Sequence, residues 1–283
     1  MSGEPDFLAG MARASAARSA RAAAGLSLEA VRELARTSPP APRLALSPAG
    51  FDLIMELKLS SPANGVLAGD ALNIAAQVEG YARAGAAIVS VLTEPERFRG
   101  DLAHLRAAAG VLRPYGVPAM RKDFLVDAYQ LYEARAAGAG GVLLIVRMLT
   151  DAVLAELLAV AAELGLFVLL EAFDATDIDR AARAAATWSG PAAELLIGVN
   201  SRDLVTLKVV PERLLELCPS LPTRHPRVAE SGLVDAGDAA RLAAAGYGLA
   251  LVGTALMSAP DPVALGRRMI EAGRAARQTG SGP

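Results

Sequence analysis

The stretch GVLLIVRMLTDAVLAELLAVAAELGLFVLLE, residues 141–171, decides the fold. It opens on an unbroken apolar run, Val142 to Val146, and closes on another, Phe167 to Leu170, capped by Glu171. A strand that is apolar at every position has both faces buried, as in a parallel sheet covered by helices. The Leu- and Ala-rich residues between the runs predict a helix over 150–164 that stops at Gly165, a residue suited to the left-handed turn that ends helices. The unit is therefore strand, helix, parallel strand.

The same unit recurs on both sides. Strands are predicted near 52–58, 86–92, 117–122, 141–146, 166–171, 194–199, 226–230 and 248–252. Helices follow near 71–84, 101–112, 127–137, 150–164, 175–186, 211–217, 235–245 and 261–276. Gly85, Gly116, Gly138 and Gly246 repeat the punctuation of Gly165. Eight units with short links predict an α/β fold, a closed (β/α)8 barrel of the TIM type. The alternative is an open doubly wound sheet, but no G-x-G-x-x-G turn follows the first strand. Ahead of the barrel, residues 1–24 read as an Ala-faced helix, Ser27 can cap a second helix, and Thr37 to Pro48 with Pro39, Pro40 and Pro42 reads as an arm. The expected division is a helical extension and arm over 1–50, the barrel over 51–276 and a frayed tail over 277–283.

Composition sets the outer bounds. The 283 residues are 53% hydrophobic and 20% charged, enough apolar material for one large core. A formal net charge of -2 gives no long-range attraction to nucleic acid or acidic membranes. No apolar run reaches the roughly 18 residues that span a bilayer. Arg13, Arg18 and Arg21 break up the first segment, so it does not read as a secretory signal. The single Cys218 permits no disulfide within the chain, and a cytoplasmic location is expected. Cys218 reads as a small buried apolar residue, and Trp188 as a local packing anchor. His104 and His225 have no partner at metal-ligand spacing, so no metal site is expected. The Ala-rich outer helices leave monomer and homodimer both open.

In a parallel barrel the active site forms at the carboxyl ends of the strands. Polar residues stand where these apolar strands end: Glu56 and Lys58, Lys122, Glu171, Asn200, and Glu230 with Ser231. Burying so many polar groups on one rim costs free energy unless they pair or bind something, which a shared pocket explains. Gly232 after strand seven and Gly253-Thr254 after strand eight predict a phosphate site, since bare backbone N–H groups near a helix start hold such anions.

Taken together, these segments resemble the indole-3-glycerol phosphate synthase family. The resemblance is carried by Glu56-Leu57-Lys58-Leu59-Ser60-Ser61-Pro62 with Gly65, by Ser90 to Glu94 with Phe98 and Gly100, and by Arg121-Lys122-Asp123-Phe124 with Tyr129-Gln130. It continues through Gly198 to Leu204, Ala229 to Leu233 and Val252 to Met257, and runs from about residue 51 to 270. It implies closure of an indole ring from 1-(2-carboxyphenylamino)-1-deoxyribulose 5-phosphate, with loss of CO2 and water, in tryptophan biosynthesis, without metal or organic cofactor. By the same resemblance Lys122 would be the general acid, Lys58 would contact the carboxylate and assist acid chemistry, and Glu171 would be a general base or stabilise cationic intermediates. Glu56 would hold the lysines, Asn200 would bind substrate hydroxyls, and Arg202 would organise the carboxylate end. Ser61, Gly232, Gly253 and Thr254 would surround the phosphate, with Ser231 beside the sugar and Glu230 contacting substrate.

The chain departs from the family pattern at Leu59, Ala63-Asn64, Gly140, Arg147, Phe173 and Thr254. Leu59 removes a positive charge from the first loop, and Arg147 is a candidate for a new anionic contact at the pocket. Ordinary drift is one explanation; a paralogue acting on a substituted anthranilate derivative is another. A phosphoribosylanthranilate isomerase is disfavoured, because that chemistry wants an early Cys and Cys218 lies late. A non-catalytic barrel that binds a phosphorylated ligand is disfavoured by the presence of Lys58, Lys122 and Glu171 together.

Overall fold

The computed structural model describes residues 7–61, 65–67, 72–203, 206 and 208–279. In it eight parallel strands close on themselves. They are β1 (Asp52–Leu57), β2 (Ile88–Leu92), β3 (Ala119–Lys122), β4 (Gly141–Ile145), β5 (Phe167–Ala172), β6 (Leu195–Asn200), β7 (Arg227–Glu230) and β8 (Leu249–Val252). β1 pairs with β2, Glu56 opposite Ser90, and with β8, Asp52 opposite Leu249. That double pairing closes the sheet and rules out the open alternative. Each strand fits one expected run.

The helices between strands start where a short polar side chain can accept backbone N–H groups. Asn73, Asp101, Asp127, Thr150, Asp174 and Asp235 each cap the helix that follows. Gly165, after the helix Asp151–Glu163, has φ 65, the left-handed turn its position demanded. Apolar side chains fill two spaces. Ile54, Leu143, Leu169, Leu196 and Val228 pack within the barrel, while Val89, Leu144, Leu170 and Val199 pack outward against the helices. Leu44 and Leu46, from the arm, pack against the inner cluster.

The structure also adds elements that periodicity did not signal. Ser60–Ser61 and Gly65–Val66 form a two-stranded antiparallel ribbon after β1, and Pro95–Phe98 is a one-turn helix capped by Glu94. Two-residue strands and single turns are too short to leave a periodic trace. The last helix runs Pro262–Thr279, past its expected end at 276. Arg274 anchors it to β1 through Asp52 at 2.8 Å and the Phe51 carbonyl at 3.0 Å. Pro62, Ala63-Asn64, Leu204 and the tail 280–283 lie outside the described residues. Gly140 has a local reason: a Cβ there would meet Pro118 Cβ at 2.7 Å and the arm's Pro42 carbonyl at 3.1 Å, so an acidic side chain has no room.

The N-terminal extension is two helices, α1 (Phe7–Gly25) and α2 (Leu28–Thr37). Polar side chains fasten α1 to the barrel. Gln130 donates to Ser15 at 2.9 Å, Arg18 donates to Asp123 at 2.7 Å, and the Tyr129 hydroxyl donates to the Leu26 carbonyl at 2.9 Å. α2 buries Val31 and Ala35 against Tyr129 and Tyr132, with the Arg32 guanidinium 5.0 Å above the Tyr132 ring. No described helix is long and apolar enough to cross a membrane.

Candidate active site

A cavity of about 480 Å3 opens at the carboxyl ends of the strands. All twelve residues singled out from the sequence line it: Glu56, Lys58, Ser61, Lys122, Glu171, Asn200, Arg202, Glu230, Ser231, Gly232, Gly253 and Thr254. They come from β1, β3, β5, β6, β7 and β8 and the loops that follow, so strand closure alone gathers them.

One side of the cavity is charged. Lys58 Nζ lies 2.9 Å from Glu56 Oε1, with both side chains largely buried. Asn200 Nδ2 donates to Glu171 Oε1 at 2.5 Å, and its Oδ1 accepts from the Arg202 backbone N–H at 2.9 Å. The amide thus orients the carboxylate of one strand while being oriented by its own loop. Burial works to depress the Lys122 ammonium. Carboxylates led by Glu171 and Glu56 outweigh it against the smaller opposing charge of Arg202, and the net displacement is upward. Burial lowers Arg202, against the pull of Glu56.

A second region combines hydroxyls and bare backbone: Ser61, Ser231, Gly232, Gly253 and Thr254. Ser231 and Gly232 both have positive φ, 69 and 86. For a serine that conformation costs about 1 kcal/mol or more, a cost the surroundings must offset. Ser201 holds the turn, its hydroxyl donating to the Ser231 carbonyl at 3.1 Å and reaching that of Glu230 at 3.3 Å. Gly253 needs its missing side chain for a reason the sequence hid. A Cβ would run into Glu56 Oε1 and come within 3.2 Å of Lys58 Nζ. Gly253→Ala should therefore displace the Glu56–Lys58 pair and lower kcat/KM at least about tenfold, roughly one lost charge-assisted hydrogen bond. Steady-state kinetics beside a melting curve check this; a variant with normal kcat/KM would show that the pair tolerates the shift.

The third wall is apolar. Phe7 and Leu8 of α1 join Phe98, Phe124, Ile145 and Phe173. Phe124 meets Phe7 edge-on at 6.0 Å and 77°, and Phe98 at 6.1 Å. Such a wall suits a flat aromatic ring. Sequence reasoning missed these residues, because apolar side chains lining a site look like core and nothing in the sequence says where α1 docks.

Behind Lys122 lies a buried polar network. Asp123, 3% exposed, accepts from Arg18 and the Phe124 N–H at one oxygen and from Thr93 and Arg121 at the other. Arg121 also donates to the Gln130 carbonyl at 2.9 Å. Glu94, fully buried, accepts three backbone N–H groups of the Pro95–Phe98 turn. Asp123 and Glu94 thus brace the loops around Lys122 from within the protein.

Arg147 corrects an expectation. It does not line the cavity: its guanidinium donates to Asp177 at 2.6 Å and Asp174 at 2.5 Å and stacks 4.7 Å over the Phe173 ring. Its charge is already matched, so it fixes Phe173 rather than meeting a ligand. Cys218 is buried with its thiol against the Ala245 carbonyl, and Trp188 donates to the Pro191 carbonyl three residues on. Among the described residues no cluster of three or more His, Cys, Asp or Glu is placed to hold a metal ion.

Comparison with known proteins adds the name of the group. A family model described as indole-3-glycerol phosphate synthase matches residues 11–269. The chain belongs to the indole-3-glycerol phosphate synthase family. The indole-3-glycerol phosphate synthase of Mycolicibacterium smegmatis is 38% identical over 252 residues, 88% of each chain. That of Rhodococcus opacus is 40% identical over 239 residues, 84% of each. Solved structures share the fold at low identity. A thiamine phosphate pyrophosphorylase from Pyrococcus furiosus matches at TM-score 0.57 and 15% identity, over 80% of this chain and 96% of that one. A 3-hexulose-6-phosphate synthase from Salmonella typhimurium matches at 0.58 and 14%, over 78% and 97%. The family model begins within α1, so the extension fastened over this site falls largely inside the match.

Proposed function

We propose that this chain closes the indole ring of 1-(2-carboxyphenylamino)-1-deoxyribulose 5-phosphate, releasing CO2 and water, with Lys122 and Glu171 as the principal proton-handling groups. Membership of the family carries the activity, that of a carboxy-lyase of tryptophan biosynthesis. The observation that carries the residue assignment is the convergence of Lys58, Lys122, Glu56 and Glu171 in one cavity between an apolar wall and a Ser/Gly-lined end.

The reaction's proton count fits that inventory. Attack of the aromatic carbon on the ketone puts negative charge on the carbonyl oxygen, which must be protonated. Loss of CO2 restores the aromatic ring. Departure of the new hydroxyl as water needs a second proton, and the carbon beside nitrogen gives one up to form the indole. Two protons enter and one leaves, so a substrate that begins as a carboxylate takes up one proton per turnover. Lys122 protonates the carbonyl oxygen as the carbon–carbon bond forms. Lys58, held at 2.9 Å by Glu56, faces the departing carboxylate and assists acid chemistry. Glu171, oriented by Asn200, stabilises the cationic ring and takes the last proton. Asn200 also binds a substrate hydroxyl, Arg202 steers the carboxylate end, and Glu230 contacts the sugar chain beside Ser231. The phosphate is held by Ser61, Gly232, Gly253 and Thr254, with the start of helix Thr254–Ser258 supplying backbone N–H groups.

Purified protein incubated with the substrate, without added metal, should produce indole fluorescence and prefer the unsubstituted ring over ring-substituted analogues. Tight binding without turnover would leave a non-catalytic barrel. Preference for a substituted ring would revive the paralogue, although Arg147, which with Leu59 pointed to it, is turned onto Phe173 and two aspartates.

A further inference from the structure

Four buried side-chain atoms among the described residues lack a hydrogen-bond partner: Arg18 Nη1, Ser90 Oγ and both carboxyl oxygens of Glu230. Of these three residues only Glu230 lines the cavity. Its side chain stands at the carboxyl end of β7, opposite Asn200 in register and immediately before the Ser231-Gly232 turn, and the residue is 1% exposed. Gly198 makes the space for it. A Cβ at Gly198 would clash with Glu230 Oε1, so the carboxyl rests on bare backbone of β6.

A carboxylate in this position would be buried, without a single hydrogen bond, in a cluster that already contains Glu171 and Glu56. Burial without hydrogen bonds beside two other carboxyl groups is costly for an ion, even with the Lys122 ammonium in the cluster. The neutral acid avoids most of the cost but brings an O–H for which the protein offers no acceptor. The acceptor must come from whatever fills the cavity. We propose that Glu230 meets the substrate as a neutral carboxylic acid and donates its O–H to an oxygen of the sugar chain, with Gly198 as the positioning residue that seats it. The inference rests on the ring-closure reading for the identity of the substrate, but not for the protonation state. The charges around Glu230 agree with it. Burial, then Glu171, raise the carboxyl well above the usual range; Lys122 opposes them, and Glu56 adds to the rise. A neutral group here also spares a substrate bearing both carboxylate and phosphate the repulsion of one more anion.

Infrared difference spectra of the substrate-free protein, wild type minus Glu230→Gln, test the protonation state directly. The C=O stretch of a protonated carboxyl should be present at neutral pH and absent in the variant. Its absence from the wild type overturns the proposal. Kinetics test the donor. Glu230→Gln, neutral and still a donor, should raise KM less than Glu230→Ala does and lose any rise of KM at alkaline pH. Glu230→Ala and Gly198→Ala should each raise KM about tenfold, the worth of one hydrogen bond. An unchanged KM in Glu230→Ala sinks the donor role. Stability keeps the test independent of turnover. A carboxyl raised in the folded state loses stability as pH climbs from its unfolded value of about 4.5 through its folded one. Glu230→Gln should therefore match wild type in acid and melt above it at neutral pH. If the infrared band and this melting shift appear but no variant or wild type turns over substrate, the ring-closure reading fails while the neutral Glu230 stands.

Discussion

Replacing Lys122 with methionine should leave a folded barrel and lower kcat by roughly a thousandfold, in the middle of the range for losing a general acid. Methionine keeps the unbranched stem that fills the end of β3 and removes only the ammonium. In the wild type that ammonium is held charged, because the carboxylates of Glu171 and Glu56 oppose the burial that works to neutralise it, and the net displacement is upward. A group whose folded pKa is raised contributes stability that is present below the unfolded value of 10.5 and lost as pH rises through the folded value. At neutral pH the variant forfeits that contribution, so a modest fall in Tm should accompany the kinetic loss. Without the proton donor the carbonyl oxygen must carry its developing charge unaided, so kcat should fall much more than KM rises. A variant that kept kcat within tenfold of wild type would move the acid role to Lys58, the other ammonium in the cavity.

How far the sequence alone carried can be judged from particular residues. Glu56, Glu171, Asn200 and Glu230 were legible because each breaks an apolar run at its carboxyl end, and Lys122 because it follows Arg121 at the end of another; barrel closure brings all such ends to one rim. The eight strands were legible for the same reason: burial on both faces leaves a continuous apolar trace. Phe7, Leu8, Phe98 and Phe124 were not legible as site residues, since a ring-binding wall and a core are built from the same side chains. Gly253 was read as bare backbone beside a phosphate, and nothing in the sequence signalled that it also makes room for Glu56, a neighbour nearly two hundred residues away in the chain. Arg147 misled because spacing reports that a charge stands after β4 and not which way it turns. Asp174 and Asp177, which claim it, belong to the next unit.

The extension's contribution to the chemistry is most exposed at Asp123, and Asp123→Ala should be the most destabilising single change made at the mouth of the barrel. The carboxylate receives Arg18 from α1 at 2.7 Å, Thr93 from the loop after β2 at 2.8 Å and Arg121 from β3 at 3.3 Å. Its removal leaves Arg121, with a 6% exposed side chain, the Gln130 carbonyl, Thr93 and Glu133, the last at the same 3.3 Å as the lost carboxylate. It leaves Arg18 with Glu94 at 3.7 Å, beyond hydrogen-bonding distance. Breaking a buried pair from one side costs about 3–5 kcal/mol, because the stranded charge stays in the protein. The residual partners place this case near about 3 kcal/mol, a fall in Tm of roughly 6–12 °C for a domain of this size. The effect should reach the chemistry, since Lys122 is the next residue in the chain and Phe124, which Asp123 fixes through its N–H, carries the apolar wall. Arg18→Met separates the two consequences. It leaves Arg121 paired with Asp123, so it should cost less stability while loosening α1, which brings Phe7 and Leu8 to the cavity. KM for the aromatic substrate should then rise more than kcat falls. Equal Tm for Asp123→Ala and wild type would show the network to be dispensable. An unchanged KM in Arg18→Met would show that Ser15, Tyr129 and apolar packing hold α1 in place without it.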